Sequence, residues 1–422
     1  MKRQDINWDS RRWVVLVASC LVNLCIGSIY AWSVFAAPLA AKLTQALGTQ
    51  FSPADLAIVF TIANSVGPIT MISGGYVNDK LGPKLVIMIG GAMFGLGMIL
   101  SGLVGSIPML IVTYGLIAGL GLGMTYGCTI NNTVKFFPDK RGLVGGIATA
   151  TYGLSSVIVP PVANSMIDSQ GVSMTFVILG AVFLVVILGS ALFIDKCPVG
   201  YRPAGFDPSA RRAAKALSED RDWRQMLSSP VFYVMIAMLI CGAFSGLMIT
   251  SQASPMAQKM VGMTPALAAT AVSVLALFNA GGRIVAGVLS DKFGRVAVLM
   301  GAFVLEFAGL ALLLTAADGT VIRFMMGISL IGICFGALMG VYPGFTADQF
   351  GARHNSVNYG IMFIGFALAG YFGPTVARKI LLAQGSYSPA FLVAICFAAA
   401  GLALAVTFVL MQRKRRPLPP QA

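Results

Sequence analysis

The chain has 422 residues, of which 57% are hydrophobic and 10% charged, and it carries a formal net charge of +14. So much apolar surface cannot be hidden in a soluble core of this size, which excludes a soluble globular enzyme and leaves a polytopic membrane protein. The positive charge gathers in the segments between apolar runs, so it is read as topology and gives no sign of a nucleic-acid partner.

Twelve apolar stretches begin near Trp13, Pro53, Lys84, Pro108, Gly142, Ser173, Pro230, Pro265, Arg295, Val321, Asn355 and Ser388. Each runs for about 20 residues or more, long enough to cross a bilayer as a helix, and the fold class expected is an all-α membrane protein. The first stretch lacks the short core and small-residue cleavage pattern of a signal peptide and is expected to stay as a span. With a cytoplasmic N-terminus, 23 of the 29 Lys and Arg residues fall on the cytoplasmic side. Five (Lys42, Lys259, Arg323, Arg378 and Lys379) fall on the other, which predicts both termini cytoplasmic in an inner membrane. Residues 196–228 are polar and basic, with Pro198, Pro203 and Pro208. They read as a cytoplasmic linker with a short interfacial helix around Asp222 to Leu227, dividing an N-terminal unit, 1–195, from a C-terminal one, 229–422.

In the first span Asn23, Gly27, Tyr30 and Val34 share a face, and in the fourth Gly119, Gly123, Tyr126 and Ile130 do so. Tyr152 opens a glycine-rich stretch in the fifth. These three tyrosines suit a cavity wall and equally suit packing or a membrane interface. Asn131 and Asn132, near the end of the fourth span, read as capping or packing residues. In the eighth span Arg283 lies eight residues before Asp291, where the polar loop begins. At helical rise that is about 12 Å into a hydrocarbon layer of about 30 Å. An arginine so deep calls for a water-filled cavity or an anionic partner. Ala276, Asn279, Ala280 and Gly287 share its face, a small and polar stripe on a greasy helix. Asn279, one turn before Arg283, is placed to hydrogen-bond the arginine or a ligand, or to pack against a neighbouring helix.

Glu306 is the one carboxylate well inside a span, a possible proton site or a structural group. His354, the single histidine, sits in a loop before the eleventh span and reads as a cap or a solvated residue. The seven cysteines are scattered without metal-ligand spacing, and no constellation of nucleophile, base and acid occurs. A transporter without metal or cofactor is therefore expected, and no enzyme.

Two loops repeat one signature, Gly75-Tyr76-Val77-Asn78-Asp79-Lys80-Leu81-Gly82-Pro83-Lys84 and Gly287-Val288-Leu289-Ser290-Asp291-Lys292-Phe293-Gly294-Arg295, at an offset of 212 residues. The same offset carries Gly153 to Gly365 and brings Pro160-Pro161 near Pro374, so one half duplicates the other. Gly75 and Gly287 permit close helix approach, Gly82 and Gly294 a tight turn, and Asp79 and Asp291 are suited to capping a neighbouring helix. The signature resembles the loop motif of the major facilitator superfamily across the whole chain. That resemblance implies two pseudo-symmetric six-helix bundles that rock around a central site, with these six residues in gating.

Within that superfamily the chain is similar to the oxalate/formate antiporters and their bacterial monocarboxylate relatives. The likeness runs through Gly27-Ser28-Ile29-Tyr30-Ala31-Trp32, Phe136-Phe137-Pro138-Asp139-Lys140-Arg141-Gly142-Leu143, Tyr152-Gly153-Leu154-Ser155, Asn279-Ala280-Gly281-Gly282-Arg283, Ser290-Asp291-Lys292 and Asn358-Tyr359-Gly360. It implies that Arg283 binds a substrate carboxylate and that Tyr30, Tyr126 and Tyr152 line the site. The chain departs from the oxalate carrier where a second cation, a lysine, is replaced by Phe366, and where a tryptophan and a tyrosine fall on Phe335 and Met339. Asn279 stands where animal monocarboxylate carriers have an aspartate associated with the coupling proton. A dicarboxylate would bring an unmatched charge to a lone arginine, whereas a monocarboxylate forms one bidentate pair. The expected substrate is a small monocarboxylate such as lactate, pyruvate, glycolate or formate, moved by a monomer with a counter-anion or a proton. Oxalate/formate-type exchange and proton symport are the alternatives.

Overall fold

The computed structural model describes residues 7–53, 55–205 and 220–414, and every regular element among them is helical. Lys2, Arg3, Pro208, Arg211, Arg212, Lys215, Arg415, Arg416 and the middle of the linker lie outside the described residues. Twelve long helical segments follow one another. The first four are α1 (Trp8–Leu47), α2 (Ala57–Leu81), α3 (Pro83–Leu103) and α4 (Ile107–Phe136). One continuous stretch, Arg141–Phe193, turns at Gly171, whose φ of 81° and ψ of 163° break the helix into α5 (141–170) and α6 (172–193). The short helix Trp223–Leu227, closed by an Asp222–Gln225 capping box, stands where an interfacial helix was expected. Beyond it come α7 (Pro230–Val261), α8 (Pro265–Phe293), α9 (Arg295–Leu314), α10 (Val321–Phe350), α11 (Asn355–Gln384) and α12 (Ser388–Lys414).

The packing obeys the 212-residue repeat. Gly67 lies against Gly123, so α2 meets α4, and Asn279 lies against Gly336, so α8 meets α10. Gly27 of α1 meets the Tyr152 carbonyl of α5, as Gly373 of α11 meets Phe244 of α7. Helix α3 packs on α6 through Gly91 and Ile187, and α9 on α12 through Phe303 and Gly401. Small residues permit these approaches where lipid gives no hydrophobic drive for helix association. Large apolar side chains such as Val185, Ile322 and Leu382 are exposed, which suits a lipid surround.

The halves meet through α5 on α8 and, by the same repeat, α2 on α11. At Gly142 an added Cβ would stand 2.2 Å from the Gly287 carbonyl, and at Gly75 2.8 Å from the Ser356 carbonyl. Gly82 and Gly294 hold φ of 101° and 91°, left-handed conformations that link α2 to α3 and α8 to α9.

Polar contacts seal this end, which also carries the described ends of the chain. Asp291 accepts the Gly142 and Leu143 amides at 3.0 and 2.9 Å, capping α5. Arg295 pairs with Asp291 at 2.9 Å and with Asp348 at 3.0 Å, and Arg141 reaches Asp348 at 2.9 Å. The other copy differs from the expected pattern. Among the described residues Asp79 caps no helix; it pairs with Lys135 at 2.6 Å. The two copies also differ in sequence here, since the position repeating Lys135 is Ala347. Asn78 bonds Ser356 at 2.9 Å and Asn355 bonds Asn131 at 2.6 Å, so Asn131 joins the halves as well as packing.

Candidate functional site

At mid-depth the close approach of α5 and α8 stops beside Arg283. Its carbonyl lies 2.3 Å from where a Cβ on Gly146 would be, while its side chain extends toward the interior. Arg283 is 3% exposed. Nε donates to Asn279 Oδ1 at 2.9 Å, within α8, and Nη1 donates to the Thr149 carbonyl of α5 at 2.6 Å. No carboxylate pairs with it among the described residues.

Arg283 lines one cavity with Tyr30, Tyr126, Tyr152, Met339 and Phe366, as well as Asn64, Gly67, Pro68, Met71, Leu122, Gly123 and Phe363. Among the described lining residues Arg283 alone is charged. The tyrosines form a connected wall: Tyr30 meets Tyr152 with ring centroids 5.4 Å apart, and Tyr152 meets Tyr126 at 4.8 Å. Arg283 is near enough to act electrostatically on all three hydroxyls. Facing them, Phe363 stacks on Phe366 at 4.5 Å, and Tyr126 meets Phe363 at 5.7 Å.

Local backbone positions these groups. Tyr30 falls in the Gly27–Ala31 stretch of α1, which is wound as a 3-10 turn, and α2 is interrupted between Ser65 and Gly67, ahead of Pro68. Such irregular backbone is tolerated in a span where it faces a cavity or protein.

Not every residue of the expected set reaches the cavity. Asn279 is 7% exposed and stands behind Arg283; its Oδ1 holds the guanidinium, and its Nδ2 has no partner among the described residues. Phe335 stacks behind Phe366 at 6.2 Å. From the face proposed for α1 only Tyr30 lines the space: Asn23 bonds the Ala148 carbonyl at 2.9 Å and Thr129 at 2.8 Å. His354 makes no side-chain cap. Glu306 lies away from the cavity and away from lipid, 1% exposed, with Ser245 of α7 donating to one carboxylate oxygen.

The contribution of α2 went unread in the sequence, although the repeat contains it. The positions that repeat Asn279 and Arg283 are Gly67 and Met71, and both line the cavity. The duplicated scaffold presents Met71 and Arg283, one repeated position, to the cavity from both halves, with charge on one side only.

The family model of the Major Facilitator Superfamily matches residues 19–374, with a further match over 254–422. The chain belongs to the Major Facilitator Superfamily. It is therefore a transporter and no enzyme. Among curated relatives, the oxalate:formate antiporter of Oxalobacter formigenes is 30% identical over 408 residues, covering 96% of this chain and 93% of that one. The MFS-type transporter YhjX of Escherichia coli (strain K12) is 29% identical over 363 residues, 86% of each chain. Human monocarboxylate transporter 12 is 23% identical over 408 residues, covering 90% and 77%. Two solved structures share the fold at 15% identity. The superfamily transporter FucP in its outward conformation gives a TM-score of 0.70 over 94% of this chain and 99% of its own, and the human organic anion transporter MFSD10 gives 0.72 over 93% and 99%.

Proposed function

We propose that this superfamily transporter carries small monocarboxylate anions of the size of formate, glycolate, lactate or pyruvate. The observation that carries the reading is a single buried guanidinium facing an otherwise uncharged, aromatic cavity, with Phe366 on the wall that would have to match a second carboxylate. A bidentate carboxylate satisfies the planar fork of Arg283, and the tyrosine hydroxyls supply neutral donors around it. A second carboxylate would be desolvated against Phe363, Phe366 and Met339 without a partner. The relatives named for oxalate, formate and monocarboxylates support the anion class.

In this reading the contacts of Asp291, Arg295, Asp348 and Arg141 close the cytoplasmic gate in an inner membrane, and Gly75, Asp79, Gly82, Gly287, Asp291 and Gly294 form its repeated hinge. The units 1–195 and 229–422 rock about Arg283, and the monomer suffices. Ligand binding tests the substrate class directly. Thermal unfolding of the detergent-purified protein should shift upward with millimolar lactate or formate, by mass action on the folded state, and less with oxalate at equal concentration. A larger shift with oxalate would favour dicarboxylate exchange.

A further inference from the structure

Glu306 of α9 is a buried carboxyl group with no cation beside it among the described residues. Ser245 of α7 donates to Oε1, and Oε2 has no partner among the described residues. The groups that interact with it electrostatically from the helices packed around it are the thiols Cys241 of α7 and Cys334 of α10. The other titratable residues of those helices are Tyr342 of α10, whose hydroxyl donates to the Met235 carbonyl, and Tyr233, Lys259, Arg323 and Asp348 toward the helix ends. On α12, which packs on α9 at Phe303 and Gly401, the titratable residues are Cys396, exposed, and the basic residues at the helix end. A carboxylate anion held there by one hydroxyl would leave charge uncompensated in an apolar interior, whereas the acid keeps the same hydrogen bond and is neutral.

This pair lies one layer behind the cavity. Gly246, next to Ser245, sits against the Phe335 ring, where an added Cβ would come within 2.4 Å; Phe335 stacks on Phe366, and Phe366 lines the site. A change in the spacing of α7 and α9 therefore reaches the cavity wall through three contacts.

We infer that Glu306 is a proton-binding site that couples proton movement to the transport cycle. In the state with the chain-end side sealed, Oε2 carries a proton and Oε1 accepts from Ser245. When α7 and α9 part enough to admit water, the proton passes to solvent and the anion is hydrated; no other bond changes. The inference rests on the monocarboxylate reading and adds its driving ion: an inward proton gradient accelerates net uptake, while exchange of bound anions needs no turnover of the proton.

Two measurements on the full-length protein test it. The pH-difference infrared spectrum of the purified protein should contain a protonated carboxyl band at neutral pH that Glu306→Gln removes and Glu306→Asp retains or shifts. In proteoliposomes, net uptake of labelled lactate should rise several-fold with acid outside and lose that response in Glu306→Gln, while lactate counterflow stays within about twofold of the unsubstituted protein. Glu306→Asp should keep the gradient response. Absence of the band, or a gradient response unchanged in Glu306→Gln, overturns the inference. A band accompanied by gradient-insensitive uptake in the unsubstituted protein also overturns it, by making Glu306 a structural acid. Each of these three results leaves intact a counterflow that favours lactate over oxalate, whereas counterflow of oxalate alone removes the monocarboxylate reading and leaves the infrared test standing.

Discussion

Arg283 Nη1 donates to the carbonyl of Thr149 at 2.6 Å, so the one charged group among the described cavity residues also ties α8 to α5 across the two halves. With Asn279 Oδ1 on Nε, the protein itself satisfies part of the guanidinium. In the proposed function a carboxylate completes the shell of the guanidinium, which lowers the cost of closing over the site. Arg283→Lys keeps the charge and loses the fork. Counterflow of lactate should fall about tenfold or more, and Arg283→Gln should abolish it, with the elution volume of the purified protein unchanged.

Asn279 holds Arg283 without neutralising it. Asn279→Asp would place an anion at the oxygen now 2.9 Å from Nε and form an internal ion pair that competes with substrate. The half-saturating lactate concentration should rise by about tenfold, close to 1.4 kcal/mol of lost binding, as measured by initial counterflow rates. An unchanged value would mean that Asn279 does not position the guanidinium.

The spans were legible because hydrophobic runs of bilayer length have few alternatives, and the turn at Gly171 fell between two of them. Depth and chemistry also singled out Arg283. Harder to read was which face of each helix meets the cavity. Asn23 and Tyr30 share a face by periodicity, yet Asn23 is consumed by the Ala148 carbonyl and Thr129 while Tyr30 lines the space. Asp79 and Asp291 occupy the same motif position and differ in partner, Lys135 for one and the α5 amides with Arg295 for the other, a contrast visible only when the copies are overlaid. Burial of Glu306 against Ser245 depends on the angle between α7 and α9, which spacing along the chain does not set.

The sealed end depends on glycine contacts that leave no space for a side chain. Gly287→Val should clash with the Gly142 carbonyl, 2.2 Å from the Cβ position, and shift the population toward the state open at that end. Spin labels on the chain-end sides of α5 and α8 should report longer distances by double electron–electron resonance than in the unsubstituted protein. A distribution unchanged by the substitution would show that the seal adapts to the added bulk.

Under the proposed function, Phe366 on the cavity wall limits how many carboxylates can be matched. Phe366→Lys would add a cation to the aromatic wall and should move preference toward oxalate, raising the oxalate-to-lactate rate ratio by about tenfold if the new pair forms with its charges matched. Recovery of folded protein from the membrane should be measured alongside, because a buried lysine is costly in the absence of substrate.

The central claim is that one buried arginine in an aromatic cavity selects one carboxylate. Head-to-head initial uptake of labelled lactate, formate and oxalate into proteoliposomes preloaded with the same unlabelled anion measures that selection most directly. The account predicts faster exchange of lactate or formate than of oxalate, with both monocarboxylate rates lost in Arg283→Gln. Oxalate exchange faster than either, or monocarboxylate exchange that survives the substitution, would contradict it.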